Sequence, residues 1–219
     1  MTDEQFPDAP PPEMFRAEYW DERFSAPERI WSGNPNVALV AEAADLAPGR
    51  ALEVGSGEGD DARWLAEQGW EVTATDISAV ALEKASARIA EQSPAAAERI
   101  TWWRTDVSGW EPPAGAFDLV TSHYLPLRPE QRAGVFAGMA AAVAPGGTLL
   151  LVSHALRDLE NGMPLPPWPE MFPTLEELAA LVPEDHWETV TLEERPRPAV
   201  YGGTEYTIHD VILRARRRA

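Results

Sequence analysis

Along this chain, short apolar runs take turns with longer stretches in which apolar residues recur every three to four positions. The first rhythm belongs to strands and the second to amphipathic helices. Runs at 51–55, 71–76, Ile100–Arg104, Phe117–Ser122 and Thr148–Ser153 predict five strands. Between them, about 59–68, Ser78 to about Glu91, and Pro129–Val143 predict helices. Leu149-Leu150-Leu151-Val152 is unbroken apolar sequence, as a strand covered on both faces requires. Upstream, Phe15–Phe24 and Asn36–Asp45 predict two helices, the second with Val37, Leu39, Val40 and Ala44 on one stripe. Downstream, 162–173 carries too many prolines for a helix, Thr174–Leu181 predicts a short one, and Trp187–Glu194 with Thr207–Arg216 predict a closing strand pair. Pro48-Gly49 and Ala144–Gly147 read as turns. Ser78 is placed to cap its helix, but Ala81 stands where a capping box needs glutamate or glutamine. Strands alternating with helices imply an α/β protein with a parallel sheet. Residues 1–13, acidic and proline-rich, predict a disordered tail. That leaves 14–219 as a single domain, with 14–46 as an N-terminal helical cap or lid.

The chemistry concentrates between Ala51 and Ser78. A strand ending at Val54 runs into Gly55, Gly57 and Gly59, then a helix, then a second strand ending in Asp76. Glycines at a strand-to-helix turn accept positive φ and let backbone approach a ligand closely. An acid about 20 residues on, at the tip of the next strand, can take two ribose hydroxyls. A dinucleotide site reads G-x-G-x-x-G, with pyrophosphate on the helix N-terminus. Here the third glycine comes one residue early, and Asp60 fills the position a dehydrogenase gives to glycine. Glu58, Asp60 and Asp61 together put three carboxylates where a pyrophosphate would lie. That disfavours a dianion and suits a cationic ligand such as S-adenosylmethionine (SAM), with its sulfonium and ammonium groups. Glu53, inside the first strand, fits the same reading.

The pattern apolar-Glu53-apolar-Gly55-x-Gly57-x-Gly59, followed by Asp76, resembles motif I of SAM-dependent methyltransferases with the Rossmann-like fold. The segment YWDERFSAPERIWSGNPN is similar to the entry segment of small bacterial methyltransferases of the tellurite-resistance and thiopurine methyltransferase-like group. Together these cover roughly residues 19–155. The resemblance implies a doubly wound, mainly parallel seven-stranded sheet with an antiparallel C-terminal strand. It implies SAM as cofactor, with Glu53, Gly55, Ser56 and Gly57 near its methionine part and Asp76 on the ribose. Asp106 would read the adenine amino group, Ile77 and Val107 would sandwich the ring, and the His123 backbone would face the amino-acid end. Trp31 belongs to the segment expected to roof the cofactor. The implied function is methyl transfer to a small molecule by in-line displacement. A non-catalytic SAM-binding regulator is the alternative, and an NAD-dependent oxidoreductase a weaker one.

Charge and composition narrow the partners. Acids outnumber bases 36 to 18, a net charge of −18 that repels phosphate backbones and argues against nucleic acid. The basic run at Arg214, Arg216, Arg217 and Arg218 reads as the end of a strand with a solvated tail. The absence of cysteine excludes disulfides, thiolate metal sites and cysteine nucleophiles. No signal-peptide pattern and no apolar run near ~18 residues is present, so the expectation is a cytoplasmic protein without a membrane partner. Lys84 is the only lysine and suggests no role.

A methyl acceptor needs a general base only if it carries a proton at working pH. The base candidates are His123, His154 and His209, while His186 reads as surface and the histidine spacing fixes no metal site. Tyr19, Trp20 and Trp31 before the core, and Trp168 and Phe172 in the proline-rich stretch, are either lids or packing. Trp102 and Trp103 read as strand packing. The stretch Ser122-His123-Tyr124-Leu125 lacks the Asn/Asp-Pro-Pro-aromatic motif of base-methylating enzymes. A small organic molecule, a thiol or a chalcogen anion remains as acceptor, with Arg23, Arg128 or Arg157 available to an anion.

Overall fold

A computed structural model describes residues 9–160, 165, 167–201 and 203–219. Five strands run parallel: β1 (Arg50–Val54), β2 (Glu71–Asp76), β3 (Ile100–Arg104), β4 (Phe117–His123) and β5 (Val143–His154). A closing hairpin, β6 (Trp187–Tyr201) and β7 (Thr204–Arg217), puts β7 antiparallel against β5. The order is β3-β2-β1-β4-β5-β7-β6, so the chain reverses direction across the sheet between β1 and β4. Crevices form beyond the carboxyl ends of parallel strands at such a switch point. The helices are α1 (Ala17–Ser25), α2 (Val37–Ala43), α3 (Asp60–Glu67), α4 (Ala79–Gln92), α5 (Pro94–Ala97), α6 (Pro129–Ala142), α7 (Arg157–Glu160) and α8 (Leu175–Ala180).

The period-two alternation of the strands sorts their side chains into two cores. Leu150, Val152 and Ile212 join Leu39 of α2 and Leu65 of α3 on one face. Leu149, Leu151 and Leu213 join Met139 of α6 and Leu178 of α8 on the other. A third, smaller cluster of Leu165, Phe172 and Ile208 lies where the proline-rich stretch meets the hairpin. Asn36 caps α2 by accepting from Ala38 N and Leu39 N, and Ser78 caps α4 by accepting from Ala81 N. Thr174 and Glu177 form a full capping box on α8.

Three differences from the sequence pattern matter. Pro145-Gly146-Gly147, expected as a turn, lies inside β5, because Val143 already pairs with Phe117. The final strands run to 15 and 14 residues, and Pro196 and Pro198 sit in edge strand β6, a position that tolerates a missing N–H. Finally, Pro12–Phe15 forms a 3-10 helix, so part of the expected tail is built structure, while residues 1–8 lie outside the described residues. No helix among the described residues is long and apolar enough to cross a membrane.

Candidate active site

The glycine turn is tied to its neighbour strand before any ligand arrives. Gly55 N and Ser56 N both donate to Thr75 O, at 2.8 and 2.8 Å. The early third glycine has a packing cause. Gly59 caps α3 at φ 75°, and a Cβ there would stand 2.7 Å from Trp102 of β3 and 3.1 Å from Ala85 of α4. Asp76 lies against the turn: its Oδ2 accepts from Gly57 N at 2.8 Å and its Oδ1 from Ser78 N at 2.9 Å. Burial raises its pKa, and these backbone donors oppose the rise. Beside it opens a cleft of about 410 Å³, lined by Ile77, Arg104, Thr105 and Asp106 on one wall and Phe15 to Glu18 on the other. Asp106 accepts from Ser108 N at 2.9 Å. Val107 packs instead against the α6-side core and does not line this cleft.

Across the turn sits a buried acidic niche. Glu53 is 2% exposed and its Oε2 has no hydrogen-bond partner. Burial, with Asp61, Asp76 and Asp60 nearby, raises its pKa well above the ordinary carboxylate value. Asp61 Oδ2 holds His123 Nδ1 at 2.7 Å, and His123 Nε2 lies 2.8 Å from Thr121 Oγ1. Donor atoms of Glu53, Asp61 and His123 lie within 4.8 Å of one another, a spacing that suits a cation.

The other two carboxylates of the turn, Asp60 and Glu58, are engaged by arginines. Asp60 forms ion pairs with Arg29, with Arg88 at 3.2 Å and with Arg63 at 4.0 Å. Glu58 meets Arg29 at 3.6 Å and accepts from Trp31 N at 2.9 Å. These acids fasten the N-terminal segment. Asp21 of α1 accepts from Ser78 Oγ at 2.6 Å and Val80 N at 3.2 Å, at the start of α4. Lys84 of α4 returns the contact, its ammonium donating to Phe24 O at 2.8 Å and Ala26 O at 2.6 Å. Cations at a helix C-terminus meet the carbonyls that the helix itself leaves unpaired. Trp31 is 54% exposed, and its indole nitrogen lies 3.6 Å from where a Cβ on Gly57 would stand. Arg128 stacks over Phe15 at 4.4 Å and donates to Pro12 O at 3.2 Å. Residues 12–31 therefore cross the strand ends as a roof.

On the β4–β5–β7 side, Tyr124 adopts φ 52°, the one non-glycine residue with positive φ among the described residues. Its hydroxyl donates to Asp210 Oδ1 at 2.8 Å and accepts from Arg197 at 2.8 Å, while Arg197 Nε donates to Asp210 Oδ2 at 2.7 Å. Burial and Asp210 push the Tyr124 hydroxyl pKa upward. The Tyr124 ring stacks on His154 at 4.2 Å. Burial lowers His154 to about 4, and its Nδ1 is buried without a partner. His209 Nδ1 lies 2.8 Å from Asp158 Oδ1. His186 is a surface residue beside Asp185, 3.4 Å away. Trp168, 4% exposed, and Phe172 are packed residues. Arg23 lies over Trp20 at 5.9 Å, and Arg157 pairs with Glu194 at 2.6 Å.

Residues 51–147 match a methyltransferase domain family. Thiocyanate methyltransferase 1 of Brassica oleracea is 32% identical over 164 residues, 74% of this chain and 69% of the relative. The chain belongs to the SAM-dependent methyltransferases. An uncharacterized methyltransferase of Mycobacterium tuberculosis is 32% identical over 137 residues, 62% of this chain, and the match spans 66% of that relative's length. Among solved structures, TehB of Haemophilus influenzae shares the fold at a TM-score of 0.66 and 18% identity, covering 92% of this methyltransferase and 67% of TehB. Sequence reasoning about this methyltransferase missed Asp21, Arg29, Lys84 and Asp158. Two caps it also passed over carried readable signals: Asn36, a polar residue just before an apolar stripe, and Thr174 with Glu177 at capping-box spacing.

Proposed function

We propose that this protein transfers the methyl group of SAM to a small sulfur nucleophile, a thiol or thiocyanate. The observation that carries the reading is the pairing of an adenosine-sized cleft at Ile77 and Asp106 with the buried acidic niche at Glu53. In this reading Asp76 takes the ribose hydroxyls, since each of its oxygens, holding one N–H, keeps a lone pair. Asp106 takes the adenine amino group and Ile77 lies against the ring. Gly55, Ser56 and Gly57 follow the methionine chain, Trp31 roofs it, and Glu53 with Asp61 draws its ammonium group. The orphan Oε2 of Glu53 fits that role, because an unpaired buried acceptor favours a cationic donor. SAM supplies a methyl already activated on a sulfonium, so the residues here mainly orient the acceptor and exclude water. The net charge of −18 supports a small acceptor over nucleic acid. The sulfur class is supported by likeness to thiocyanate methyltransferase 1. An NAD-dependent reading is disfavoured by Gly59, whose place in the motif is explained by Trp102.

Asp76→Ala is expected to weaken SAM by about 5–150-fold, the worth of hydrogen bonds costing roughly 1–3 kcal/mol when lost. Calorimetric titration of both proteins measures it, and equal affinity would remove Asp76 from the ribose. Formation of S-adenosylhomocysteine on adding a thiol separates an enzyme from a SAM-binding regulator.

A further inference from the structure

Of the three histidines at the carboxyl edge, two are poorly placed to take a proton. His123 has both ring nitrogens engaged, and His154 is buried and stacked. His209 differs. Asp158 is 0% exposed, and both of its oxygens turn to this one residue. Oδ2 accepts from His209 N at 2.6 Å, and Oδ1 meets Nδ1 at 2.8 Å. A carboxylate only accepts, so Nδ1 carries a proton, and Nε2 is the nitrogen at which the ring can present a lone pair. Among the described residues no hydrogen bond reaches Nε2. A buried carboxylate aligning one imidazole and balancing the charge it would gain is the arrangement of an oriented base.

The position agrees. Ala155 N donates to His209 O at 3.0 Å, immediately past the end of β5, whose last residue His154 pairs with Asp210. That is the edge where ligands bind in open α/β sheets. Ile208, the residue before it in β7, is fully buried with Leu165 and Phe172, which pins this end of the strand.

We propose that Asp158 and His209 form a dyad that deprotonates a thiol acceptor, an inference that rests on the methyltransferase reading above. The thiol S–H proton passes to His209 Nε2 as the sulfur forms its bond to the methyl carbon. The carbon–sulfonium bond breaks, and its electron pair stays on the departing sulfur of S-adenosylhomocysteine. The imidazolium, held by Asp158, then releases the proton to water. A proton-free anion such as thiocyanate needs no such step.

The test compares two acceptors, 2-mercaptoethanol and thiocyanate, with the full chain and saturating SAM, reading S-adenosylhomocysteine against pH. His209→Gln should lower kcat with the thiol by about 10²–10⁴-fold, the usual worth of a positioned base. The residual rate should climb with pH as the thiol ionises by itself. Thiocyanate turnover should stay within about threefold of the parent, since no proton moves and general-base assistance is not needed. Asp158→Asn should lower the thiol rate about 10–100-fold and likewise spare thiocyanate, as expected for loss of an orienting carboxylate. Equal losses on both acceptors, or an unchanged thiol rate, overturn the dyad. If the parent protein binds SAM but methylates neither probe, the acceptor class and the dyad fall while the cofactor reading stands. If it does not bind SAM, the proposed function itself fails.

Discussion

Asp60→Ala is expected to lower the melting temperature by about 4–12 °C and to loosen the roof over the cofactor site. Asp60 is buried and anchors Arg29 and Arg88 from two distant parts of the chain, with Arg63 of its own helix beside them. Removing one member of a fully buried pair costs roughly 3–5 kcal/mol, because a charge is left uncompensated. Arg29 and Arg88 retain some solvent access, so about 2–3 kcal/mol is the better expectation here. For a domain of this size each kcal/mol moves the midpoint by roughly 2–4 °C. Arg29 would lose its hold on α3, and the backbone from Trp31 to Asn36 would lose part of its docking. SAM affinity should fall with the melting temperature. Thermal unfolding and titration of the same samples check both effects, and a variant that melts with the parent would mean that these arginines find water as good a partner.

Glu53→Gln should give the opposite pairing, a firmer fold with a weaker site. The folded pKa of Glu53 stands above its ordinary value of 4.5, chiefly because burial penalises its charge. A raised folded pKa means that the native state holds a proton the unfolded chain has released. The associated stability is full below the unfolded pKa and is lost as pH rises through the folded one. Glutamine cannot ionise, so the variant should gain on the parent as pH rises above that ordinary value. Near neutral pH the gain should reach about 0.5–2 kcal/mol, as for other relieved functional positions. SAM should bind about 10–150-fold more weakly, the worth of roughly 1.5–3 kcal/mol for a hydrogen bond to a charged group. Melting curves across pH, with SAM titrations beside them, check the two arms. A pH-independent stability difference would mean that Glu53 is ionised in the folded protein.

The succession of strands and helices along the chain and the glycine turn were legible because both are local. Gly55 to Gly59 and Asp76 lie on one βαβ unit, and its geometry follows from spacing alone. The neutralisation of Glu58 and Asp60 was not legible. Their partners Arg29 and Arg88 lie about thirty residues away in either direction, and no periodicity marks such pairs. The same reason hid the pairing of Asp158 with His209 and of Arg197 and Tyr124 with Asp210, contacts that form only after β5, β7 and β6 pair. Trp168 was ambiguous in sequence because proline-rich segments give no hint of what they cover; here it is packed. The start of β5 was misread for a different cause: Pro145-Gly146-Gly147 has turn chemistry, but the bridge from Val143 to Phe117 draws it into the strand.

Lys84 holds the end of α1, and it is the only lysine in the sequence. Amine-reactive reagents therefore have a single side-chain target, and that target holds the C-terminal end of α1. An ammonium engaged by two carbonyls is a poor nucleophile, so its rate of labelling counts how often α1 lifts. The molecule thus carries its own reporter: the adduct on Lys84, told from the one on the α-amino group by peptide mass, converts the lifting of α1 into a chemical clock that a bound cofactor should slow.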